Sequence, residues 1–290
     1  MLYSFQQQQR SDVAHQLLLP SPMELITVEE MKAQAYITAC PDENGNPETD
    51  PETDALLTMY ITVAREYLEG LKNRAFVAQT WQQLTTFGPT DDAIQVWPCP
   101  VQQILSMSAI DSTGAETVLS LSDYVADLRS WPAVIRPKYD TGWWSNACWP
   151  YQNQIRLEYI AGDLMPVTAD ATTDQLTALP ERTYTANERI VLSNRGGALP
   201  APLVATQRYY VVNPSGSTLQ LSLTASGSPI DLTDAGSGQT FIGLIPTVER
   251  LHLMMFVQHF YENRLPVQAI QYYEVPFTLK NFLWFNRVTL

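Results

Sequence analysis

Tyr159-Ile160-Ala161-Gly162-Asp163-Leu164-Met165-Pro166 ends a β-prone run, and about 77 residues later Leu244-Ile245-Pro246 echoes its last three positions. With residues 167–243 lifted out, the strand ending at Gly162 runs almost directly into a helix opening at Pro246. The lifted segment alternates turn clusters with β-prone runs. Arg189–Leu192 and Arg208–Val212 read as strands. Asn213-Pro214-Ser215-Gly216 is a turn, and Thr218–Leu223 returns with Leu219, Leu221 and Leu223 on one face. Asp234–Gly238 is a further turn. The pattern predicts an all-β domain, a small antiparallel sandwich or sheet, inserted into an α+β core.

The core opens with helices. Thr27-Val28-Glu29-Glu30 is a capping box, with Thr27 as N-cap and Glu30 three residues on, and the helix should run to about Ile37. Cys40–Thr53 is a polar loop, and Asp54 can cap the next helix. Leu56, Tyr60, Val63, Ala64, Tyr67, Leu68 and Leu71 follow at a sustained 3.6-residue period, which predicts an amphipathic helix with that face buried. Ala78–Phe87, Ile94–Trp97, Ile104–Ile110, Glu116–Leu119, Val134–Arg136 and Ile155–Ile160 predict an antiparallel meander. Pro246 near the first turn and the apolar run Leu251, Met254, Met255, Val257 and Phe260 predict a central last helix, ending near Asn263-Arg264.

Composition restricts the function classes. The chain has 290 residues, net charge −13 and only 16% charged residues, against the usual quarter. A sparsely charged, aromatic-containing surface suits a protein that sits against neighbours. The acidic balance argues against phosphate binding as the main task. Charge is uneven: residues 1–53 hold nine carboxylates and two basic residues, and 264–290 hold one and three. Such asymmetry can orient one copy on another. Cys40, Cys99 and Cys148 are odd in number and far apart, which fits reduced thiols and not a disulfide framework. No run of 18 apolar residues and no basic-then-apolar leader is present, so neither a membrane span nor a signal peptide is expected. Gln6-Gln7-Gln8-Gln9 is a composition that stays unstructured unless something else, such as a neighbouring subunit, holds it.

The motif search yields little chemistry. Asp42-Glu43-Asn44-Gly45-Asn46 superficially resembles a calcium loop, but its glycine stands at position four where an EF-hand needs it at six. A solvated turn is the better reading. His15, His252 and His259 show no zinc spacing; His259 and Glu262 are placed to hydrogen-bond on one helix face. Gly236-Ser237-Gly238-Gln239-Thr240 lacks the lysine of a phosphate loop and reads as a turn. No Gly-x-Ser-x-Gly elbow occurs. Neither catalytic nor metal residues nor a cofactor are therefore assigned, and the chain is not expected to be an enzyme. Two aromatic clusters remain. Trp143, Trp144 and Trp149 lie in a loop that folds over its own sheet, anchors an interface or stacks on sugar. Phe277, Phe282, Trp284, Phe285, Val288 and Leu290 alternate with polar residues beyond the last core helix. They either pack on their own domain or insert into a partner, and insertion is the preferred reading.

The order of several weak pieces resembles the head–tail connector (adaptor) proteins of tailed bacteriophages. Leu25-Ile26-Thr27-Val28-Glu29-Glu30-Met31-Lys32 resembles the family's opening helix. Ala64-Arg65-Glu66-Tyr67-Leu68-Glu69, Asn73-Arg74-Ala75 and Gln79-Thr80-Trp81 resemble its second helix and first strand. Trp97-Pro98, Pro100-Val101 and Ile104, then Arg136-Pro137-x-Tyr139, Trp149-Pro150, Asn153 and Arg156-x-x-Tyr159-x-Ala161-Gly162, resemble its later strands. Phe260-Tyr261-Glu262-Asn263-Arg264 resembles the end of its long helix. Together these span about 170 residues.

The resemblance implies a non-enzymatic virion protein made in the host cytoplasm. It would form a homo-oligomeric ring, usually twelvefold, between the portal protein and a downstream neck or tail protein. DNA would pass through the lumen without specific binding. Residues 277–290 would be the portal anchor, residues 24–166 and 244–276 the connector core, and 1–23 an extension outside the family pattern. Residues 167–243 also lie outside it. Leu199-Pro200-Ala201-Pro202-Leu203 with Tyr209-Tyr210-Val211-Val212-Asn213 resembles β modules of phage tail and fibre proteins, which implies either a fibre, collar or accessory partner or simply a wider ring. Two alternatives stay open: a glycan-binding or fibre-attachment module using Tyr209 and Tyr210, and a polysaccharide hydrolase.

Overall fold

The computed structural model describes residues 13–35, 50–86, 93–110, 113–120, 122–138, 154–205, 207–244 and 246–262. The Gln-rich terminus, most of the 40–53 loop, the Trp143–Trp149 loop and the tail from Asn263 onward lie outside them. The fold is α+β, with antiparallel sheets and a β-barrel, and it divides into two compact units.

The first unit takes residues up to 21 and 73–163. Its larger sheet has the order β1-β2-β8-β4-β5, formed by Val13–Leu19, Gln79–Thr86, Gln154–Ala161, Val101–Ile110 and Glu116–Val118. A second sheet orders β3 (Ile94–Val96), β7 (Ala133–Pro137) and β6 (Tyr124–Asp127). Alternate residues Ile155, Leu157, Tyr159 and Ala161 of β8 enter one core with Met107, Ile94, Val96 and Ile135. Tyr159 donates its hydroxyl proton to the Trp97 carbonyl, which satisfies the one polar atom of a fully buried ring. The expected strands are present and antiparallel, but they do not form one meander: β8 lies between β2 and β4, and β3, β7 and β6 make a separate sheet. β1 and β6 were not anticipated, and β4 starts at Val101, three residues early.

Gly162 ends β8 at φ 151°, and a Cβ there would stand 2.5 Å from the Ala78 nitrogen and the Val77 carbonyl carbon. Only glycine permits that backbone approach. The residue is fixed by hydrogen bonds on both sides: its N–H donates to Pro100 O at 2.9 Å, and its carbonyl accepts from Gln102 at 2.6 Å.

The second unit takes 22–72 and the described residues from 164 on. Helix α1 (Val28–Gln34) has the predicted capping box: Glu30 N donates to Thr27 Oγ1 at 3.2 Å, and Thr27 N donates to Glu30 Oε2 at 3.1 Å. Helix α2 (Pro51–Lys72) begins three residues before the expected Asp54 cap. Asp50 accepts from Glu52 N at 3.1 Å, and Pro51 follows as a first-turn residue with no N–H to lose. Helix α3 is Thr247–Glu262.

The β segment closes on itself. β10 (Gln175–Ala178), β13 (Thr218–Ser222), β12 (Arg208–Ser215), β11 (Arg189–Arg195), β14 (Gln239–Ile242) and β9 (Met165–Asp170) form a six-stranded barrel in that order, not an open sandwich or sheet. Closure removes the edges that a short open sheet would expose. Leu176, Ile190, Leu192, Val211, Leu219, Leu221 and Phe241 are buried in this all-antiparallel barrel. Leu223 falls beyond β13 and is 57% exposed, so the predicted three-leucine face stops at two. Of the Gly236–Thr240 stretch, expected to be a turn, Ser237 and Gly238 bend, while Gln239 and Thr240 already belong to β14.

Candidate interaction surface

Helix α2 buries a different face from the one its apolar period suggests. Leu57, Ile61, Ala64, Arg65, Leu68 and Lys72 are buried, whereas Val63 and Tyr67 are 46% and 49% exposed. Two charged residues on the inner face account for the rotation, because each meets carboxylates there. Arg65 Nε lies 2.8 Å from Glu24 Oε2, and its Nη1 lies 2.7 Å from Glu69 Oε2. Burial opposes the guanidinium charge, but Glu69 and Glu24 outweigh it and hold the Arg65 pKa above its ordinary value. Lys72 Nζ lies 3.4 Å from Glu249 Oε1 of α3, with both side chains almost wholly buried. His252, one turn further on α3, is buried beside them. Desolvation and then the Lys72 charge lower its pKa, against the pull of Glu249.

With the inner face taken by this paired charge, apolar residues are left outside. Met59, Val63 and Tyr67 recur at i, i+4 and i+8, each about half exposed. The α3 side chains continue the strip. Phe256 stands 5.4 Å from the Tyr67 ring, Phe260 stands 6.2 Å from Tyr60, and the two phenylalanines are 6.3 Å apart. Val248 and Leu251 on α3 are 40% and 47% exposed. Apolar residues on two adjacent helices form a contiguous patch of the kind that marks a protein interface. Phe260 lies within the stretch read from sequence as the end of a long helix; Val63 and Tyr67 of α2 fall on the face expected to be buried, and Met59 does not.

Glu30 is the junction of this unit. Its Oε1 accepts from Arg250 of α3 at 2.8 Å and lies 3.6 Å from Arg195 of β11, while its Oε2 closes the capping box. Desolvation and the neighbouring Arg250 lower the Arg195 pKa, and Glu30 only partly offsets them. One capping carboxylate thus joins α1, α3 and the barrel.

The sequence-predicted anchor residues Phe277, Phe282, Trp284, Phe285, Val288 and Leu290, and the loop residues Trp143, Trp144 and Trp149, lie outside the described residues. Tyr209 is 2% exposed, and its hydroxyl accepts from Val204 N at 2.7 Å, so it is a barrel-core residue. Tyr210 is half-buried, with Arg189 stacked 5.7 Å over its ring. Glu262 accepts from Gln258 at 3.0 Å, and the His259 ring lies 6.2 Å from Phe260. Among the described residues no three His, Cys, Asp or Glu side chains group as a metal site, and no helix is long and apolar enough to cross a membrane.

No protein-family model and no curated protein sequence matches this chain. Solved structures do. A chain from the neck of an empty GTA particle, computed with C6 symmetry, aligns over 96% of both chains at 12% identity with a TM-score of 0.52. A chain from the neck of the native GTA particle, computed with C12 symmetry, aligns over the same shares at 12% identity and a TM-score of 0.48. At this identity the likeness is one of fold.

Proposed function

We propose that this chain is a structural virion protein of a phage-type neck, assembling as a ring that joins the portal to the next neck or tail component. The observation that carries the reading is the fold shared across 96% of both chains with a particle-neck protein. The ordered resemblance to adaptor proteins, read from residues alone, supports it independently. The cyclic symmetry of that neck fits a head-to-tail ring, in which each copy offers unlike surfaces to its two neighbours. The patch of Met59, Val63, Tyr67, Phe256 and Phe260 supplies apolar surface for such contacts.

The mechanism is mechanical. Many modest interfaces closed by symmetry hold the ring. The tail, with Phe277, Phe282, Trp284, Phe285, Val288 and Leu290, fills pockets on the portal. The acidic balance of the chain lets DNA pass without adhering. Twelve copies is the number the family resemblance implies. The barrel, from Met165 to Ile242, is the surface for a fibre or collar protein. No chemistry is assigned to the chain.

Mixing the full chain with the portal ring of the same genome, followed by electron microscopy, tests this. A symmetric collar formed by the full chain, but not by one ending at Val275, is the expected result. A collar from both chains would move the anchor elsewhere. Absence of binding by either would overturn the reading.

A further inference from the structure

β1 is an unusual edge strand. It pairs with β2 along its length, from Val13↔Thr85 through Leu17↔Trp81, with a bulge before Leu19↔Thr80. Yet Ala14 to Leu19 are all exposed, whichever face of the strand they point to. Leu17, Leu18 and Leu19 are 37%, 36% and 56% exposed. The strand therefore contributes little to the core and is held mainly by backbone pairing. Its principal side-chain tie is Trp97 Nε1, which donates to His15 Nε2 at 2.6 Å.

Connectivity does not fasten it either. A strand tied to its partner by a hairpin turn of two to five residues has little choice of partner. β1 instead leaves the first unit at Pro20-Ser21-Pro22, and the chain crosses about fifty residues of the second unit before β2 begins. The two prolines lack the N–H needed to extend the ladder and stiffen the exit. Every backbone bond that β1 makes to β2 is equally available to β1 of another copy, because the sequences are identical. Where other contacts hold copies side by side, the neighbour's arm is present at high effective concentration.

We propose that β1 is an exchanged arm: in the assembled protein, Val13–Leu19 of one copy pairs with Gln79–Thr86 of its neighbour. This inference rests on the self-association reading above. The arm threads each subunit to the next, and Leu17–Leu19 become buried between copies. A second copy is favoured over an unrelated strand because the register, the bulge and the His15–Trp97 bond are already matched to this sequence.

Facing positions in an antiparallel pair lie within disulfide reach, so cysteines can record which chain supplies the strand. The register pairs Ala14↔Leu84 and Gln16↔Gln82 are suitable. The variants Ala14→Cys/Leu84→Cys and Gln16→Cys/Gln82→Cys are made with Cys40 and Cys148 changed to serine; Cys99 is buried and stays. Mass in solution is measured first, then the assembled protein is mildly oxidised and run on a denaturing, non-reducing gel. Exchange predicts a ladder of covalent multimers with both pairs, and a covalent dimer when the two single-cysteine chains are co-assembled. A single-chain band from an assembled protein would overturn the exchange and leave the ring reading standing. A protein that stays monomeric, alone and with the portal, would overturn both.

Discussion

Gly162 and Lys72 carry the sharpest consequences of a single side chain. At Gly162 a Cβ meets the backbone of Val77 and Ala78, which cannot rotate away as a side chain could. Gly162→Ala should therefore destabilise the first unit by at least about 1–3 kcal/mol, read as a lower thermal midpoint. Lys72 neutralises Glu249 in a region closed to water. Lys72→Met removes the facing cation and should cost roughly 3–5 kcal/mol in denaturant unfolding. Adding Glu249→Leu to that variant should recover much of the loss, because two apolar groups replace a buried pair. A double variant no more stable than the single would mean that the pair is not the source of the effect.

At the scale of elements, the β1 arm should respond to acid. His15 is exposed as a residue, but its imidazole lies against Trp97, and desolvation there lowers its pKa from 6.5 to about 4. Above pH 6.5 the docked and detached arms are both neutral at His15, and docking is at full strength. As pH falls from 6.5 towards 4 the detached arm takes the proton first, so docking weakens; below about 4 no further loss follows. Once the intrinsic slowing of amide exchange with falling pH is divided out, the protection factors of the β1 amides should drop across that window, and His15→Gln should flatten the dependence. Protection factors unchanged between pH 7 and 4 would count against the His15–Trp97 tie.

Elements differed in how far their sequence revealed them. The α1 capping box was legible because its signal is local: four residues that bond one another. β8 is legible because its residues alternate over a real core, whereas β4 does not alternate and the buried side chains of β2 are Gln79, Thr80, Gln83 and Thr85. β1 is not legible, since backbone pairing with a distant strand leaves no alternation to read. The inner face of α2 was misread because Arg65 and Lys72 look like solvent-facing charges until Glu24, Glu69 and Glu249 are placed beside them. The same error concealed the candidate surface, because Val63 and Tyr67 were taken for core. Barrel closure was not legible for a similar reason: β9 and β14 are short, and only their pairing with each other completes the ring of strands.

At the scale of the whole molecule, a chain that is one member of a closed ring, as proposed, has its α2–α3 patch facing another copy. Val63→Asp or Met59→Glu should then abolish assembly while leaving the melting temperature of the isolated chain nearly unchanged. Polar substitutions at exposed sites usually alter stability within about 0.5 kcal/mol. Loss of both folding and assembly would instead assign the patch to the chain's own packing. The measurement closest to the central claim is the native mass of the purified full chain, taken alone and then with its portal. A closed ring should give one discrete species, a fixed multiple of the 32.6 kDa chain, in at least one of the two conditions. A monomer in both, or an open-ended series of masses, would contradict it.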